Sequence, residues 1–274
     1  MEPFFDPHEV AENDHARSEY IRHLVHRTAP FRTSEPVKDI PRVLVQFWHD
    51  LEDMPGDVEE CLNTWLALEQ YGFERLLFDD KKAKTFISRN FGHRHVMAFE
   101  LCRHPAMRCD YFRLCYLLSR GGWYVDADEV YQGTNCERLF QDNRLKMQPL
   151  CYDTSADQMV SPADFVRNRE YSNHWIFYVN NNPIISPPDH SILHLALDRA
   201  TRVLLSAETS ERDIQSITGP GNLTASLVRH SISCECGDKG QDFVLIPDWE
   251  TISISRWPLS YRDDERNWRI WSKG

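Results

Sequence analysis

The chain has 274 residues, of which 41% are hydrophobic and 12% aromatic, so it can bury the core of one large domain. Its 31 Lys and Arg against 42 Asp and Glu give a net charge of -11, which disfavours nonspecific binding to nucleic acid or to an anionic membrane. Because no apolar stretch approaches the roughly 20 residues of a membrane span and no signal-peptide pattern is present, a cytoplasmic location is expected, with peripheral membrane contact left open.

The first predicted elements are helical. Residues 1–38 are expected to form a helical extension, because Asp6 can cap a helix whose first position is Pro7. An apolar stripe at helical spacing follows: Tyr20, Ile21, Leu24 and Val25. We expect this extension to pack on a single main domain, residues 39–274.

Strands and helices alternate along the first half of the main domain. Strands are predicted at 43–48 and 73–78, and helices at 57–68 and 82–89. This alternation predicts an α/β sheet flanked by helices, with a nucleotide bound at the carboxyl ends of its strands. Further along, the pattern predicts a strand at 175–179, a helix at 191–206 and a strand at 243–246, without fixing their connectivity.

A helix predicted at 106–119 carries two opposite charges, Asp110 and Arg113, three residues apart and therefore on one face. The pair could be an ordinary surface ion pair, worth at most about 1 kcal/mol. Alternatively, the carboxylate accepts hydrogen bonds from sugar hydroxyls while the guanidinium binds phosphate or sugar oxygens. Gly121 and Gly122 end the helix, where glycine can adopt the left-handed conformation.

The short apolar run 123–125 then delivers Asp126 and Asp128 at a strand end. Residues two apart in an extended chain point to the same side, so both carboxylates can face one site. Carboxylates suit Mg²⁺ or Mn²⁺, and such a metal would neutralise a nucleotide-sugar diphosphate as a leaving group. An Asp-X-Asp sequence alone is weak support, because it is frequent in loops.

In this region the chain resembles glycosyltransferase family 32, DXD enzymes that include fungal α-mannosyltransferases and capsular-polysaccharide enzymes and are related to glucosylating toxins. The close resemblance covers the segments 40–48, 77–80, 106–113 and the DXD run. Weaker similarity follows at 180–185 and 218–220. The resemblance implies a GT-A fold, with a donor-binding half at 39–130 and an acceptor-side, site-closing half at 131–274.

The resemblance also implies residue roles in donor binding. Trp48 matches an aromatic residue that stacks on the donor base, although a core tryptophan is an equal alternative. Asp110 and Arg113 match positions that bind the donor sugar, and Tyr124 matches a tyrosine that contacts the donor. Asn173 is a further candidate donor contact.

The DXD acids take the remaining roles. Asp126 matches the acid that contacts ribose and sugar, with or without the metal, and Asp128 matches the direct metal ligand. Together with Asp110 and Arg113, they form the predicted catalytic group. Family members retain the anomeric configuration, which implies a same-face displacement in which the departing phosphate helps to deprotonate the acceptor hydroxyl.

The C-terminal part departs from the family pattern, which usually has a His or small polar residue near a final Trp. No clear His-to-Trp motif occurs here, so the third metal ligand stays unassigned. Candidate residues for closing the site are Asn267, Trp271 and Ser272, with a plain surface tail as the alternative.

The sequence therefore predicts a metal-dependent, retaining glycosyltransferase. We expect a UDP-sugar donor because of Trp48, with GDP-mannose as the alternative, and a hydroxyl acceptor on a glycan, a lipid-linked glycan or a protein. Two other functions stay open: a noncatalytic module that binds a nucleotide sugar or glycan, and a haloacid-dehalogenase-type phosphatase, which would use the first Asp of the motif as its nucleophile. The phosphatase fits less well, because its motif normally lies on the first strand.

Overall fold

The computed structural model describes residues 6–27, 38–167, 172–206, 213–237 and 239–271. The α-helices are α1 (Pro7–Glu12), α2 (Asp14–His26), α3 (Gly56–Thr64), α4 (Asp80–Phe91), α5 (His93–Leu101), α6 (Pro105–Arg120), α7 (Pro162–Arg167), α8 (Ser191–Leu205), α9 (Ile214–Ile217), α10 (Pro220–Cys236) and α11 (Trp268–Trp271). Short 3-10 helices lie at Trp65–Tyr71, Glu137–Phe140, Trp249–Thr251 and Ser260–Asp263.

Nine strands form two sheets within the described residues: β1 (Val43–Phe47), β2 (Glu74–Phe78), β3 (Gly122–Tyr124), β4 (Glu129–Tyr131), β5 (Leu145–Asp153), β6 (Gln158–Val160), β7 (Trp175–Ser186), β8 (Phe243–Leu245) and β9 (Ser253–Ser255). The large sheet has the order β2-β1-β3-β7-β5-β6, with β8 also paired to β5. Strand β1 is parallel to β2 and β3, whereas β7 is antiparallel to β3 and β5. The separate pair β4-β9 is antiparallel.

The predicted α/β architecture, a sheet flanked by helices, is confirmed. The first two strands and the helices α4, α6 and α8 lie where their patterns predicted them, within a few residues. Strand β7 is much longer than predicted, because its extended backbone continues through a polar Asn-Asn-Asn run. Strand β5 and the helices α5 and α10 were not predicted.

The N-terminal helices pack on the main domain as expected. The Asp6 side chain caps α1 by accepting a 2.8 Å hydrogen bond from the His8 amide. Two apolar residues of the predicted stripe, Ile21 and Leu24, are buried in the large core cluster. The Phe177 amide on β7 also donates a 2.9 Å hydrogen bond to Ser18 Oγ, so α2 satisfies a sheet group as well as covering apolar surface.

The cysteines and the length of the helices bear on two further predictions. All eight cysteines are free thiols, in agreement with the scattered spacing that argued against a disulfide framework. Across the described parts of the chain, no helix is both long enough and apolar enough to cross a membrane.

Two glycines set the join between α6 and β3. Gly121 has φ +69° and Gly122 has φ +110°, conformations that residues with side chains rarely adopt. A Cβ atom on Gly122 would lie 2.8 Å from the Val43 carbonyl oxygen, and one on Gly121 would lie 2.7 Å from the Pro188 nitrogen. Any larger residue would therefore push β3 away from β1, and the two acids that follow β3 would move with it.

We expect Gly122→Ala to destabilise the fold by about 3 kcal/mol, because backbone strain adds to a clash with main-chain atoms. Gly133→Ala is the matched control: its φ is +76°, but nothing lies within 4 Å of the added Cβ. Strain alone should cost about 1 kcal/mol there. Urea denaturation measures both variants, and equal losses would contradict a role for close packing at Gly122.

Candidate functional site

Site residues predicted from the sequence meet at the carboxyl ends of β1 and β3. Trp48 follows β1, and Asp126 follows β3 after Val125, whose amide donates to the Val45 carbonyl at 3.1 Å. Strand β7 runs antiparallel to β3, with Tyr124 paired to Ile184, so the residues just before Ile184 lie beyond the end of β3. This edge of the sheet is where ligands bind in open α/β folds.

Arg113 is the centre of this site. Its side chain is only 2% exposed, and it forms ion pairs of 3.0 Å with Asp110 and 2.7 Å with Asp126. It also donates to the Asn181 carbonyl, and its guanidinium lies 4.5 Å from the centre of the Tyr124 ring. The Asp110–Arg113 pair is therefore buried, so the alternative of an ordinary surface ion pair does not describe it.

Asp110 is held by a neighbour on its own helix and by two segments that are distant in sequence. Besides Arg113, its carboxylate accepts a 2.8 Å hydrogen bond from the Asn181 side chain and a 3.2 Å hydrogen bond from the Thr218 hydroxyl. Burial raises the pKa of Asp110 to about 6, against the lowering effect of the Arg113 charge. Both new partners lie in the segments of weaker family similarity, 180–185 and 218–220.

Asp126 is fixed through both its backbone and its side chain. Its amide donates a 2.8 Å hydrogen bond to Asn182 Oδ1, and its carboxylate accepts from Arg113. Cys109 lies beside the same carboxylate oxygen at 3.5 Å and within 2.8 Å of the Tyr124 hydroxyl. The side chain of Asp126 is 29% exposed, so it can still reach a ligand.

Asp128 is covered by the C-terminal part of the chain. Its carboxylate accepts a 2.8 Å hydrogen bond from the Tyr261 hydroxyl and forms an ion pair with Arg262. The antiparallel pairing of β4 with β9 guides this coverage, and the Arg256 amide donates to the Asp128 carbonyl at 2.9 Å. Burial, followed by the charge of Asp126, raises the pKa of Asp128.

A third acid, Glu129, lies behind the DXD pair and is 6% exposed. It accepts hydrogen bonds from Asn182 Nδ2 at 3.2 Å and from Ser253 Oγ at 2.7 Å. Burial and then the Asp128 charge raise the pKa of Glu129 to about 8, so it carries a proton at neutral pH. Asn182 binds both the Glu129 carboxyl group and the Asp126 amide. Through Asn182, Glu129 therefore positions the turn that carries Asp126 and Asp128.

The aromatic candidates Trp48 and Tyr124 are both inside the protein. Tyr124 is fully buried and stacks under Arg113, whereas Trp48 is 8% exposed and packs against Val58, Leu62 and Ala127. The ring of Tyr261 meets Trp48 edge-on at 5.3 Å. Trp48 thus adjoins the residue that covers Asp128, and its buried Nε1 has no hydrogen-bond partner within the described ranges.

Some residues predicted to bind the donor or close the site lie away from the cluster of Asp110, Arg113 and Asp126. Asn173 lies in an exposed turn before β7, roughly 25 Å along the strand from Asn181. The side-chain amide of Asn267 donates to the Arg262 carbonyl at 2.7 Å and therefore orders the segment that covers Asp128. Trp271 packs on His104 with ring centres 5.2 Å apart, and Ser272 lies outside the described residues.

A divalent metal fits these residues poorly. In the parts of the chain that the structure describes, no three His, Cys, Asp or Glu side chains are grouped to hold a metal ion. Asp126 pairs with Arg113 and Asp128 with Arg262, so the charge that would attract a cation is already offset. Mg²⁺ needs near-octahedral oxygen ligands, and the guanidinium beside each of the two carboxylates opposes its binding.

Tyr261 and Arg262 are site residues that the sequence did not reveal. Their segment contains several charged and aromatic residues, and nothing in the spacing separates a residue that faces the site from one on the surface. Glu129 was not predicted for a related reason: the sequence around a DXD motif does not indicate whether the next acid is buried. The sequence did point to the asparagine run and to Thr218, because both lie in the segments with weaker similarity to glycosyltransferase family 32, 180–185 and 218–220.

Comparison with known proteins gives two partial relatives. No known protein-family profile matches the chain. A 92-residue stretch, 33% of the chain, is 26% identical to an uncharacterized glycosyltransferase, L373, of Acanthamoeba polyphaga mimivirus and covers 36% of it. A 94-residue stretch, also 33% of the chain, is 28% identical to the initiation-specific alpha-1,6-mannosyltransferase of Schizosaccharomyces pombe and covers 23% of it. The matches thus span well under two thirds of either relative.

Among solved structures, the chain is similar to one described as PaToxG glycosyltransferase. The two share 14% sequence identity with a TM-score of 0.47, and the superposition covers 96% of this chain and 94% of that one. At this identity and TM-score, the similarity has no bearing on activity.

The raised pKa of Glu129 leads to a pH-dependent stability. Between the ordinary glutamate value of 4.5 and about 8, the folded chain keeps a proton on Glu129 that the unfolded chain releases. This group therefore lowers the free energy of unfolding as pH rises through that window. Glu129→Gln removes the effect, because Ser253 can turn its hydroxyl to accept from the new amide.

We expect Glu129→Gln to gain stability relative to wild type as the pH increases from 5 to 8, measured by urea denaturation at each pH. The exposed Glu250→Gln serves as the control and should follow wild type. Parallel curves for wild type and Glu129→Gln would show that Glu129 does not hold a proton in the folded state.

Proposed function

We propose that the chain is a glycosyltransferase that moves a sugar from a nucleotide-sugar donor to a hydroxyl-bearing acceptor. The observation that carries this proposal is the buried cluster of Asp110, Arg113 and Asp126 at the carboxyl ends of β1 and β3. The names of the two partial relatives, one a glycosyltransferase and one a mannosyltransferase, support the same activity. Membership of glycosyltransferase family 32 and a GT-A fold are part of the proposal.

Each residue of the cluster has a task that its position allows. Asp110 accepts hydrogen bonds from donor-sugar hydroxyls, and Arg113 fixes that carboxylate while also holding Asp126. Asp126 is partly exposed and binds ribose or sugar hydroxyls. Tyr124 supports the Arg113 guanidinium from below through its ring. Held this way, the charged groups need little rearrangement when the donor binds, which is the basis of electrostatic catalysis.

The proposed reaction retains the anomeric configuration. The bond between the sugar C1 and the diphosphate oxygen breaks, the acceptor oxygen attacks C1 from the same face, and the acceptor proton passes to the departing phosphate. This route requires no protein base. The Mg²⁺ or Mn²⁺ expected from Asp126 and Asp128 stays a prediction, and no step here depends on it.

A UDP-sugar is the proposed donor because Trp48 adjoins the site. GDP-mannose is the alternative, and the name of the mannosyltransferase relative supports a mannose donor. Incubation with a panel of UDP- and GDP-sugars, with and without Mn²⁺, tests the proposal by release of free nucleotide. Slow hydrolysis of one donor is expected even without an acceptor. A noncatalytic binding module would bind a donor and release nothing, and trapping of aluminium fluoride on Asp126 would instead indicate the phosphatase.

We expect Asp110→Asn to reduce donor hydrolysis by about 100-fold, because the amide can no longer accept hydrogen bonds as a charged group. Asp198→Asn is the control: this exposed acid pairs with Arg202 on α8, away from the site. Nucleotide release measures activity, and circular dichroism reports whether each variant folds. A folded Asp110→Asn protein with wild-type turnover would exclude Asp110 from the reaction.

Trp48 allows a test of base stacking against a purely structural role. Loss of stacking in Trp48→Ala is expected to weaken nucleotide affinity by about 10-fold, equivalent to about 1.4 kcal/mol. Calorimetric titration gives the affinity, and a thermal melt of the same sample gives the stability. A large drop in melting temperature with unchanged affinity would assign Trp48 to the core alone.

A further inference from the structure

The second DXD acid, Asp128, does not face an open metal site. Its carboxylate is paired with Arg262 and accepts a hydrogen bond from Tyr261, in a contact where the Asp128 and Arg262 side chains are 16% and 10% exposed. A buried ion pair of this kind is costly to form unless the two charges and their hydrogen bonds match well. The segment with Tyr261 and Arg262 therefore covers Asp128 and holds its carboxylate.

The position of Arg262 is set by its neighbours. Its guanidinium lies 3.6 Å from the centre of the Trp257 ring, and its backbone carbonyl accepts from the side-chain amide of Asn267. At the start of the same 3-10 helix, the Ser260 amide donates a 2.6 Å hydrogen bond to Asp57. These contacts hold the guanidinium in one place before any ligand binds.

The charges around the DXD motif nearly balance. Asp110, Asp126 and Asp128 lie against two arginines, Arg113 and Arg262. This leaves about one negative charge, in contrast to a carboxylate cage for a divalent ion. A metal on Asp128 would also have to approach a guanidinium bonded to the same carboxylate.

Arg262 retains hydrogen-bonding capacity for a ligand. A guanidinium has five N–H donors, of which the described contacts of Arg262 use only part. Its buried Nε has no acceptor among the residues that the structure describes, and the same holds for Trp48 Nε1. The Tyr261 ring contacts both residues, with its centre 5.3 Å from the Trp48 ring and 5.3 Å from the Arg262 guanidinium, so both open donors belong to one region of the site.

We propose that Arg262 is the cation of the donor site: it neutralises Asp128 and donates hydrogen bonds to the diphosphate of the nucleotide sugar, in place of a divalent metal. The inference rests on the proposed function. A donor with its base near Trp48 and its sugar at Asp110 must place its diphosphate between them, beside Asp126 and Asp128. When the C1–oxygen bond breaks, the Arg262 charge offsets the negative charge of the leaving diphosphate.

Calorimetric titration of the full chain with UDP and with GDP, in EDTA and in excess Mn²⁺, tests this assignment. For the nucleotide that binds, we expect the two dissociation constants to agree within about 2-fold, because the protein supplies the cation. Arg262→Met should weaken binding in EDTA by about 30-fold, as expected for loss of a charge-assisted hydrogen bond. Arg256→Met is the matched control from the same segment: the side chain of Arg256 pairs with Glu60 at the surface, and the substitution keeps the backbone bond to Asp128, so this variant should bind as wild type.

Two further variants separate a ligand contact from a structural role. In Arg262→Met, added Mn²⁺ should restore part of the affinity, because the Asp128 carboxylate is then free to bind a cation. Arg262→Lys, which keeps the charge, should lie between wild type and Arg262→Met. If Arg262→Met does not fold, the neutral pair Arg262→Met with Asp128→Asn removes the unpaired buried charge and should still show the loss in EDTA.

The outcomes distinguish this inference from the proposed function. A wild-type chain that binds nucleotide at least 10-fold more tightly with Mn²⁺, while folded Arg262→Met behaves identically, would overturn the assignment and leave the glycosyltransferase proposal standing. Failure of every nucleotide and nucleotide sugar to bind wild type, in either condition, would overturn the proposed function and this inference with it.

Discussion

The buried guanidinium of Arg113 is the constraint on which the site depends. Removing a guanidinium from water costs several kcal/mol unless carboxylates and hydrogen-bond acceptors surround it. Here the acceptors come from the helix that carries it, from the turn after β3 and from β7. The ion pairs and hydrogen bonds of the Arg113 side chain therefore fix the relative positions of three elements. Two of its partners, Asp110 and Asp126, are also the groups proposed to bind the donor. Stability and preorganisation of the site have the same source.

The parts of the site that the sequence predicted are those defined by short spacing. Helical periodicity placed Asp110 beside Arg113, and two glycines followed by a β-prone run placed Asp126 at a strand end. Each pattern spans less than one element, so local backbone geometry is enough to interpret it. The same reasoning did not predict that Asp110 is buried, because the sequence around Asp110 does not show that β7 and Thr218 pack over it.

The missed residues depend on pairings between distant segments. Arg262 reaches Asp128 across 134 positions, through the pairing of β9 with β4 and the packing of Tyr261 on Trp48. In a chain with a net charge of -11, a C-terminal arginine beside acids suggests a surface ion pair as readily as a site residue. The metal expected from the DXD motif stays a prediction, since two acids in sequence do not reveal which cation the fold brings to them. Burial and partner together decide that, and both are properties of the tertiary structure.

The pairing of Asp128 with Arg262 has a consequence for the order of assembly during synthesis. A ribosome releases the N-terminal part first, so β3 and its acids emerge well before the segment that neutralises Asp128. Until that segment arrives, the carboxylate must stay in water, since burying it without a partner is strongly unfavourable. The donor-side sheet can form early, but the acid edge closes only once residues 256–262 have emerged. A nascent chain would thus pass from an open, hydrated acid edge to a completed one when residues 256–262 arrive, and a chain truncated before them would keep the open form.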